Sequence, residues 1–552
     1  MIFQSSVKPW EKIHLCLSLL IFSVLLVLSH AFGSLYPYLP IFKGFIALSL
    51  IPFIWSDKIR VKYFLIICIF SGAVYSIWIY AYPTSVIGFD PGKNIVNSIR
   101  ILETGGTSHI ERSFYQTANA YSVLVSQFVA VTGIAARQSL VIFPILFGSV
   151  ILLSMYALLE RMSTTDSEAV VKILTILVLS LVVITKHSFW PIPQSLGTLL
   201  LFIAVMLLTS LKDARVRFLL IPILVIMIYT HKLPLAIFFF ILFIYRAITI
   251  SKRFINSREL PRIRATDYLL AFSFVLLCFQ FTILTEFFAM LVARGVRLLG
   301  GETTRIKYAD PITQATHATR QLTGFVGIIY QYGHAIALLT ISGLAWLYTV
   351  LQRPKTMMKQ YIVFATAILV ALTITSYIFS LIGVPYRYLM FVGPFCVLLI
   401  SIAMDEAEIS EPKHKHVLSV ILIIIIFAQI TAPAAVPDSP DTPRDYLDSK
   451  EISAREFNHD YITKTVYTDT FMALKPTINP EKTGTKSEYN IYDERLVNGS
   501  LPNNFQYVTI RSHVNVFGLA TSTWRLHWDP TTMASMKSSK VYTNGGVHTF
   551  QN

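Results

Sequence analysis

In Gly88-Phe-Asp-Pro-Gly-Lys-Asn94, Asp90 and Lys93 set an acid and a base at the head of an amphipathic segment between two long apolar stretches. A carboxylate partly desolvated at a membrane interface accepts a proton better than a free aspartate does, because burial disfavours its charged form. Asp90 is therefore the candidate general base for a group-transfer reaction. Asp-Pro is also a good helix start, with Asp90 as N-cap and Pro91 as the first helical residue. The two roles coexist if one carboxylate oxygen caps while the other faces substrate.

Cations that could stabilise a departing anion stand at other span ends. Arg387, in Val384-Pro-Tyr-Arg-Tyr388, carries a guanidinium matched to phosphate geometry. Its alternative role is a snorkelling anchor between two tyrosines of an aromatic belt. His231 and Lys232, in Tyr229-Thr-His-Lys232, form a second such pair, with an ordinary interfacial histidine as the alternative. Lys93, His109, Glu111 and Arg112 are further substrate-binding candidates near Asp90, and Glu103 is another first-loop candidate, with solvated surface as the default for the loop residues. Arg305 belongs to a later basic loop with Arg294, Arg297, Glu302, Lys307, Asp310, His317 and Arg320, which would cover substrate as a lid or simply be solvated. Lys186, His187 and Trp190 border another turn, where an aromatic anchor is the default.

The elements that must position these residues are membrane helices. Of 552 residues, 54% are hydrophobic and 14% charged, and the mean hydropathy is +0.59, values outside the range of soluble globular proteins. About thirteen apolar blocks run from residues 14–32 to residues 417–430, most of them near the roughly 20 residues needed to cross the hydrocarbon. The pair flanking His231 is short enough to be re-entrant instead. The first block lacks a small-residue cleavage site and is expected to be a retained span.

Lys58, Arg60 and Lys62, then Lys212, Arg215 and Arg217, then Lys252 to Arg264, then Arg353, Lys355 and Lys359 mark alternate loops as cytoplasmic. The N-terminus is then cytoplasmic, and residues 82–137, 293–333 and the tail from 435 are extracytoplasmic. The net charge of +15 suits an anionic lipid surface rather than nucleic acid. The four cysteines all lie in apolar blocks, without metal-ligand or disulfide spacing.

Within the first external loop, Ile95, Ile99 and Leu102 recur at helical spacing, with Lys93, Asn97, Arg100 and Glu103 on the other face, which predicts a helix lying on the membrane. Residues 119–132 predict a second short apolar helix ended by Gly133. A proline-rich linker, residues 432–443, separates a transmembrane body (1–434) from a tail (435–552). The tail reads as a small α+β or mostly-β domain. Its strands include Thr465-Val-Tyr-Thr468 and Tyr507-Val-Thr-Ile-Arg511, and Asn544-Gly545 predicts a hairpin turn. Asn498-Gly-Ser500 is a glycosylation sequon.

An early external loop with an acid near its start and two juxtamembrane helices resembles the GT-C superfamily of membrane glycosyltransferases, which includes protein O-mannosyltransferases and oligosaccharyltransferase catalytic subunits. The archaeal branch is resembled in Ile101-Leu-Glu-Thr-Gly-Gly106, Ala120-Tyr-Ser-Val-Leu-Val125, Val131-Thr-Gly-Ile134 and Tyr156-Ala-Leu-Leu-Glu-Arg161. Pro193-Gln-Ser-Leu196, Tyr229-Thr-His-Lys232 and Tyr386-Arg-Tyr388 extend the likeness over most of the membrane body. The resemblance implies an all-α polytopic membrane fold and an inverting transfer of a sugar from a polyprenyl (dolichyl) phosphate donor to a protein, glycan or lipid acceptor on the outer face. Asp90 stands where the family has its acid.

Two departures shape this expectation. The external segments lack the DxD metal pair of oligosaccharyltransferases, and Trp524-Arg-Leu-His-Trp-Asp529 only echoes their WWDxG-like motif, so a single-sugar monophosphate donor and no divalent metal are expected. Three spans precede the acidic loop where family members often have one. The competing functions are a transporter or lipid flippase, against which the scarcity of ionisable residues within spans argues, and a polysaccharide polymerase.

Overall fold

The computed structural model describes residues 89–108, 110, 117–162, 190–211, 213–257, 265–285, 287–299, 318–320, 325–352, 356–379, 389–407, 447–469, 472–473, 489–511, 515–517, 523–526 and 528–552, with single helical positions between residues 9 and 77. The chain is mostly helical, with some apolar helices and small sheets near its end.

The acidic segment forms α1 (Phe89–Thr104), followed by α2 (Ala120–Thr132) and α3 (Ala136–Met162). Next come α4 (Pro193–Leu208), α5 (Ala214–Ile228), α6 (Lys232–Ser257) and α7 (Ala265–Cys278). Then α7 continues as a π-helical stretch, Phe279–Leu284, before α8 (Phe287–Leu299), α9 (Phe325–Gln352), α10 (Met357–Phe379) and α11 (Leu389–Glu406). Among the described residues, Ala136–Met162, Lys232–Ser251 and Ala265–Leu284 are long and apolar enough to cross a membrane. Much of the expected thirteen-span series, including blocks 14–32, 36–55, 170–185 and 417–430, lies mostly or wholly outside the described residues.

Several expectations change. Asp90 lies inside α1 rather than ahead of it as its cap. Pro91 is tolerated there because the first-turn N–H groups of a helix have no intrahelical acceptor. The expected membrane face of α1 is rotated: Asn94, Ile95, Asn97, Ser98 and Ile101 are buried, whereas Leu102 is 43% exposed. The reason is α2, against which α1 packs with a mixed polar face, Ser122 Oγ reaching Asn94 O at 3.5 Å. Helix α2 itself matches its expected bounds and ends at Gly133, whose φ of 68° is the left-handed C-cap conformation. The apolar block 268–290 is not one helix, since the π-helical stretch interrupts it. The second external loop is shorter than expected, because α8 and α9 take helical residues from both its ends.

The main apolar core joins α3, α4, α6, α10 and α11, with Phe202, Phe238, Phe391 and Phe395 fully buried. In lipid such contacts form through close packing rather than release of water. At the opposite end of this bundle from α6's start, Arg246 pairs with Asp267. There too Lys359 Nζ lies 3.0 Å from Asp405 Oδ2, both side chains only 3% exposed.

The tail contains α12 (Ser449–Tyr461), β2 (Val466–Thr468), β3 (Tyr489–Ile491), α13 (Asp493–Val497), β4 (Tyr507–Arg511), β5 (Asn515–Phe517), β6 (Thr523–Leu526), α14 (Pro530–Lys537), β7 (Ser539–Thr543) and β8 (Val547–Gln551). Five strands order as β3-β2-β4-β8-β7, the first three parallel and the rest antiparallel. Arg511 holds Asp469 through two hydrogen bonds of 2.8 and 3.0 Å and Glu451 at 3.1 Å, joining β4 to α12. Burial works against the Arg511 charge, but the two carboxylates outweigh it and raise the pKa. The expected hairpin exists, but its loop is Asn544-Gly545-Gly546. Only Gly545 takes positive φ there, because Asn544 Oδ1 accepts from the N–H groups of Gly546 and Val547 and closes the turn itself. Strand β1 (Ala318–Arg320), from the loop expected to be external, pairs antiparallel with β6. That loop and the tail therefore share a sheet.

Candidate active site

The turn Tyr229-Thr230-His231 joins α5 to α6 as a helical hairpin. Thr230 Oγ1 donates to Met227 O at 2.9 Å, so its hydroxyl closes the end of α5. His231 occupies the N-cap of α6, its Nδ1 accepting from Leu233 N at 3.3 Å. With Nδ1 accepting, the neutral ring carries its proton on Nε2. The imidazole is only 7% exposed.

Five other elements close on this turn. Ala120 N, at the start of α2, donates to Tyr229 O at 2.9 Å. Gly197, in the first turns of α4, lies so near that a Cβ there would fall 2.5 Å from Pro234 Cγ and 3.3 Å from Thr230 Oγ1. Gln280, fully buried in the π-helical stretch, donates from Nε2 to Ile228 O at 2.8 Å and His231 O at 3.2 Å. Phe391, in the first described turn of α11, places its ring 6.0 Å from that of His231. Lys232 Nζ lies 4.5 Å above the ring of Phe287, at the start of α8.

A single electrostatic property follows. The first described turns of α2, α4, α6, α8 and α11 gather at one place, and the N-terminal end of a helix carries a partial positive charge. Lys232 adds a full charge. Such a place favours an anion such as phosphate. Thr117 Oγ1 donates to Leu284 O at 2.8 Å, fastening the approach to α2 onto the end of the π-helical stretch. Through α2 the acidic helix α1 is coupled to the same turn.

Of the expected site residues, His231 and Lys232 are brought into this gathering, and Lys93 sits exposed on α1. Asp90 lies in the first described turn of α1, its side chain outside the described residues. His109, Glu111, Arg112, Arg305 and Arg387 lie outside them as well, as do Lys186 and His187, whereas Trp190 is buried. The sequence motifs Pro193-Gln-Ser-Leu196, Tyr229-Thr-His-Lys232 and the segment just after Tyr386-Arg-Tyr388 meet here. Gln280 was missed, although an amide between Phe279 and Phe281 in an apolar run was the available signal. The Trp524 to Asp529 echo has a structural role: Trp528 Nε1 donates to Leu496 O at 2.6 Å and Asp529 caps α14.

No family profile matches the chain, and no curated protein matches its sequence. Among solved structures it is similar to the Archaeoglobus fulgidus oligosaccharyltransferase tethered to an acceptor peptide, at 10% identity and TM-score 0.47, over 82% of this chain and 69% of that one. It is similar to the mycobacterial arabinofuranosyltransferase AftD at 10% identity and TM-score 0.45, over 90% of this chain and 42% of that one. Apo ArnT from Cupriavidus metallidurans gives 11% identity and TM-score 0.47, over 88% and 96%; ArnT has also been solved with bound undecaprenyl phosphate.

Proposed function

We propose that this protein is a polytopic membrane glycosyltransferase that moves a sugar from a polyprenyl-phosphate donor, of the dolichyl type, to a protein, glycan or lipid acceptor on the outer face. The observation that carries the proposal is the gathering of five helix N-termini and Lys232 around the His231 turn, which suits the phosphate of a lipid-linked sugar. The polyprenyl phosphate leaves as an anion, and groups fixed in advance where that charge develops lower the barrier most.

In the proposed reaction the acceptor heteroatom attacks the sugar's anomeric carbon as the carbon–oxygen bond to phosphate breaks. Asp90 takes the acceptor's proton. The polyprenyl phosphate departs with the bonding electrons, its charge balanced by the helix N-termini, Lys232 and Arg387. A single displacement inverts the anomeric configuration. Sidedness is supported by the Lys/Arg pattern and by the sheet that joins the second external loop to the tail.

The test is transfer of labelled sugar from a dolichyl-phosphate donor by the purified full-length protein in membranes. Transfer to acceptor with release of dolichyl phosphate is the expected result. Movement of intact donor lipid across proteoliposomes, without cleavage, would instead assign a flippase.

A further inference from the structure

A cavity opens at the other end of the bundle. It encloses about 330 Å³ and is lined by Arg161, Leu208, Thr209, Leu211, Leu242, Tyr245, Thr266, Met358 and Tyr361. These residues come from the end of α3, the end of α4 and the turn after it, the middle of α6 and the starts of α7 and α10. Leu242 and Tyr245 lie ten and thirteen residues along α6 from Lys232, on the order of 15 to 20 Å at the helical rise. The loops flanking these ends carry Lys212, Arg215, Arg217, Arg258, Arg262, Arg264, Arg353 and Lys355, so this end faces the cytoplasm.

The lining divides into two parts. Leu208, Leu211, Leu242 and Met358 supply an apolar wall, while Arg161 is the one charged lining residue. Arg161 Nη1 donates to Met206 O at 3.3 Å, to Ser210 Oγ at 3.0 Å and to Thr209 Oγ1, which fixes the guanidinium over the end of α4. Tyr361 is 2% exposed, and its hydroxyl has no hydrogen-bond partner among the described residues. A buried hydroxyl left unpaired is costly, and a ligand oxygen would remove that cost.

The geometry points to a binding site for a phosphate group carried on an apolar body, an anionic phospholipid of the inner leaflet, with Arg161 and Tyr361 on the phosphate and the leucines and Met358 on its first methylenes. Basic pockets between membrane helices on the cytoplasmic side hold anionic headgroups by this combination. The inference is independent of the glycosyltransferase reading, since it uses none of the residues at the His231 turn. It also gives a role to the Arg161 motif, which that reading leaves unused.

The experiment measures thermal unfolding of the full-length protein in neutral detergent. The titrants are phosphatidylglycerol, phosphatidylcholine and inorganic phosphate, and the proteins are the native chain, Arg161→Gln and Tyr361→Phe. Phosphatidylglycerol should raise the transition saturably, phosphatidylcholine should not, and the apparent affinity should fall about tenfold in Arg161→Gln. Tyr361→Phe should leave the unliganded transition unchanged or raised, because it deletes an unpaired hydroxyl, yet weaken the lipid response. A saturable response to inorganic phosphate alone that is lost in Arg161→Gln keeps the phosphate site and assigns it a soluble ligand. Equal responses to both lipids, or an unaltered phosphatidylglycerol response in Tyr361→Phe, overturn the inference.

Discussion

Lys232 performs two tasks with one side chain. Its ammonium rests over the Phe287 ring, which fixes its position, and it stands at the N-terminus of α6, where both charges would act on the proposed phosphate. Replacing Lys232 with Met keeps the alkyl stem over the ring and deletes only the charge. On the proposed function kcat/KM for the lipid donor falls at least tenfold, about 1.4 kcal/mol, while the thermal transition stays put. Steady-state kinetics beside a melting curve separate the two. His231 and Lys232 were legible as residues because two polar groups at a span end are conspicuous. That His231 uses Nδ1 to cap α6 was not legible, since the cap depends on where the helix begins.

Among the elements, α4 and the α5–α6 turn are held together by the absence of a side chain. Gly197→Ala would drive a methyl into Pro234 Cγ at 2.5 Å. The turn must shift, and the variant should lose about 1 to 3 kcal/mol of stability, together with donor affinity, as read by thermal unfolding and donor titration. Helix α2 was readable almost to the residue because Asn119 and Gly133 bound an apolar run. The buried face of α1 was not, because its partner α2 accepts Asn94, Asn97 and Ser98 where periodicity alone favours Ile99 and Leu102. The break after Cys278 was equally hidden in an unbroken apolar string; only Gln280 hinted at it.

The β7–β8 hairpin of the tail carries a pH dependence. Burial, then the Lys540 ammonium, lower the pKa of His548, whose Nδ1 lies 2.8 Å from Thr543 Oγ1. A histidine depressed in the fold binds its proton more readily when unfolded. Its stabilising contribution is therefore present above the unfolded value of about 6.5 and is lost as pH falls from there through the lower folded value. Hydrogen exchange of the 539–551 peptide, corrected for intrinsic rates, should show weaker protection at pH 5 than at pH 7.5. His548→Gln should flatten that difference.

At the scale of the whole molecule, the membrane body and the tail are stitched by the β1–β6 pairing, which no local pattern foretells because it spans some two hundred residues of chain. The parallel run β3-β2-β4 was likewise invisible, since strands of three to five residues do not reveal their partners. What composition did supply was the apolar, largely helical character of the chain, seen in Ala136–Met162, Lys232–Ser251 and Ala265–Leu284. On that frame the helix starts of one end are the proposed anion site and Arg161 at the other end the proposed lipid contact.

The central claim is that Asp90, on the helix coupled through α2 to the His231 turn, accepts the acceptor's proton during sugar transfer. Its most direct test is single-turnover transfer from a labelled dolichyl-phosphate sugar by the native protein and by Asp90→Asn at matched thermal stability. General-base catalysis is typically worth 10² to 10⁴-fold, so the account predicts a loss of roughly that size in the rate of transfer with donor binding retained. Native rates in Asp90→Asn would contradict it.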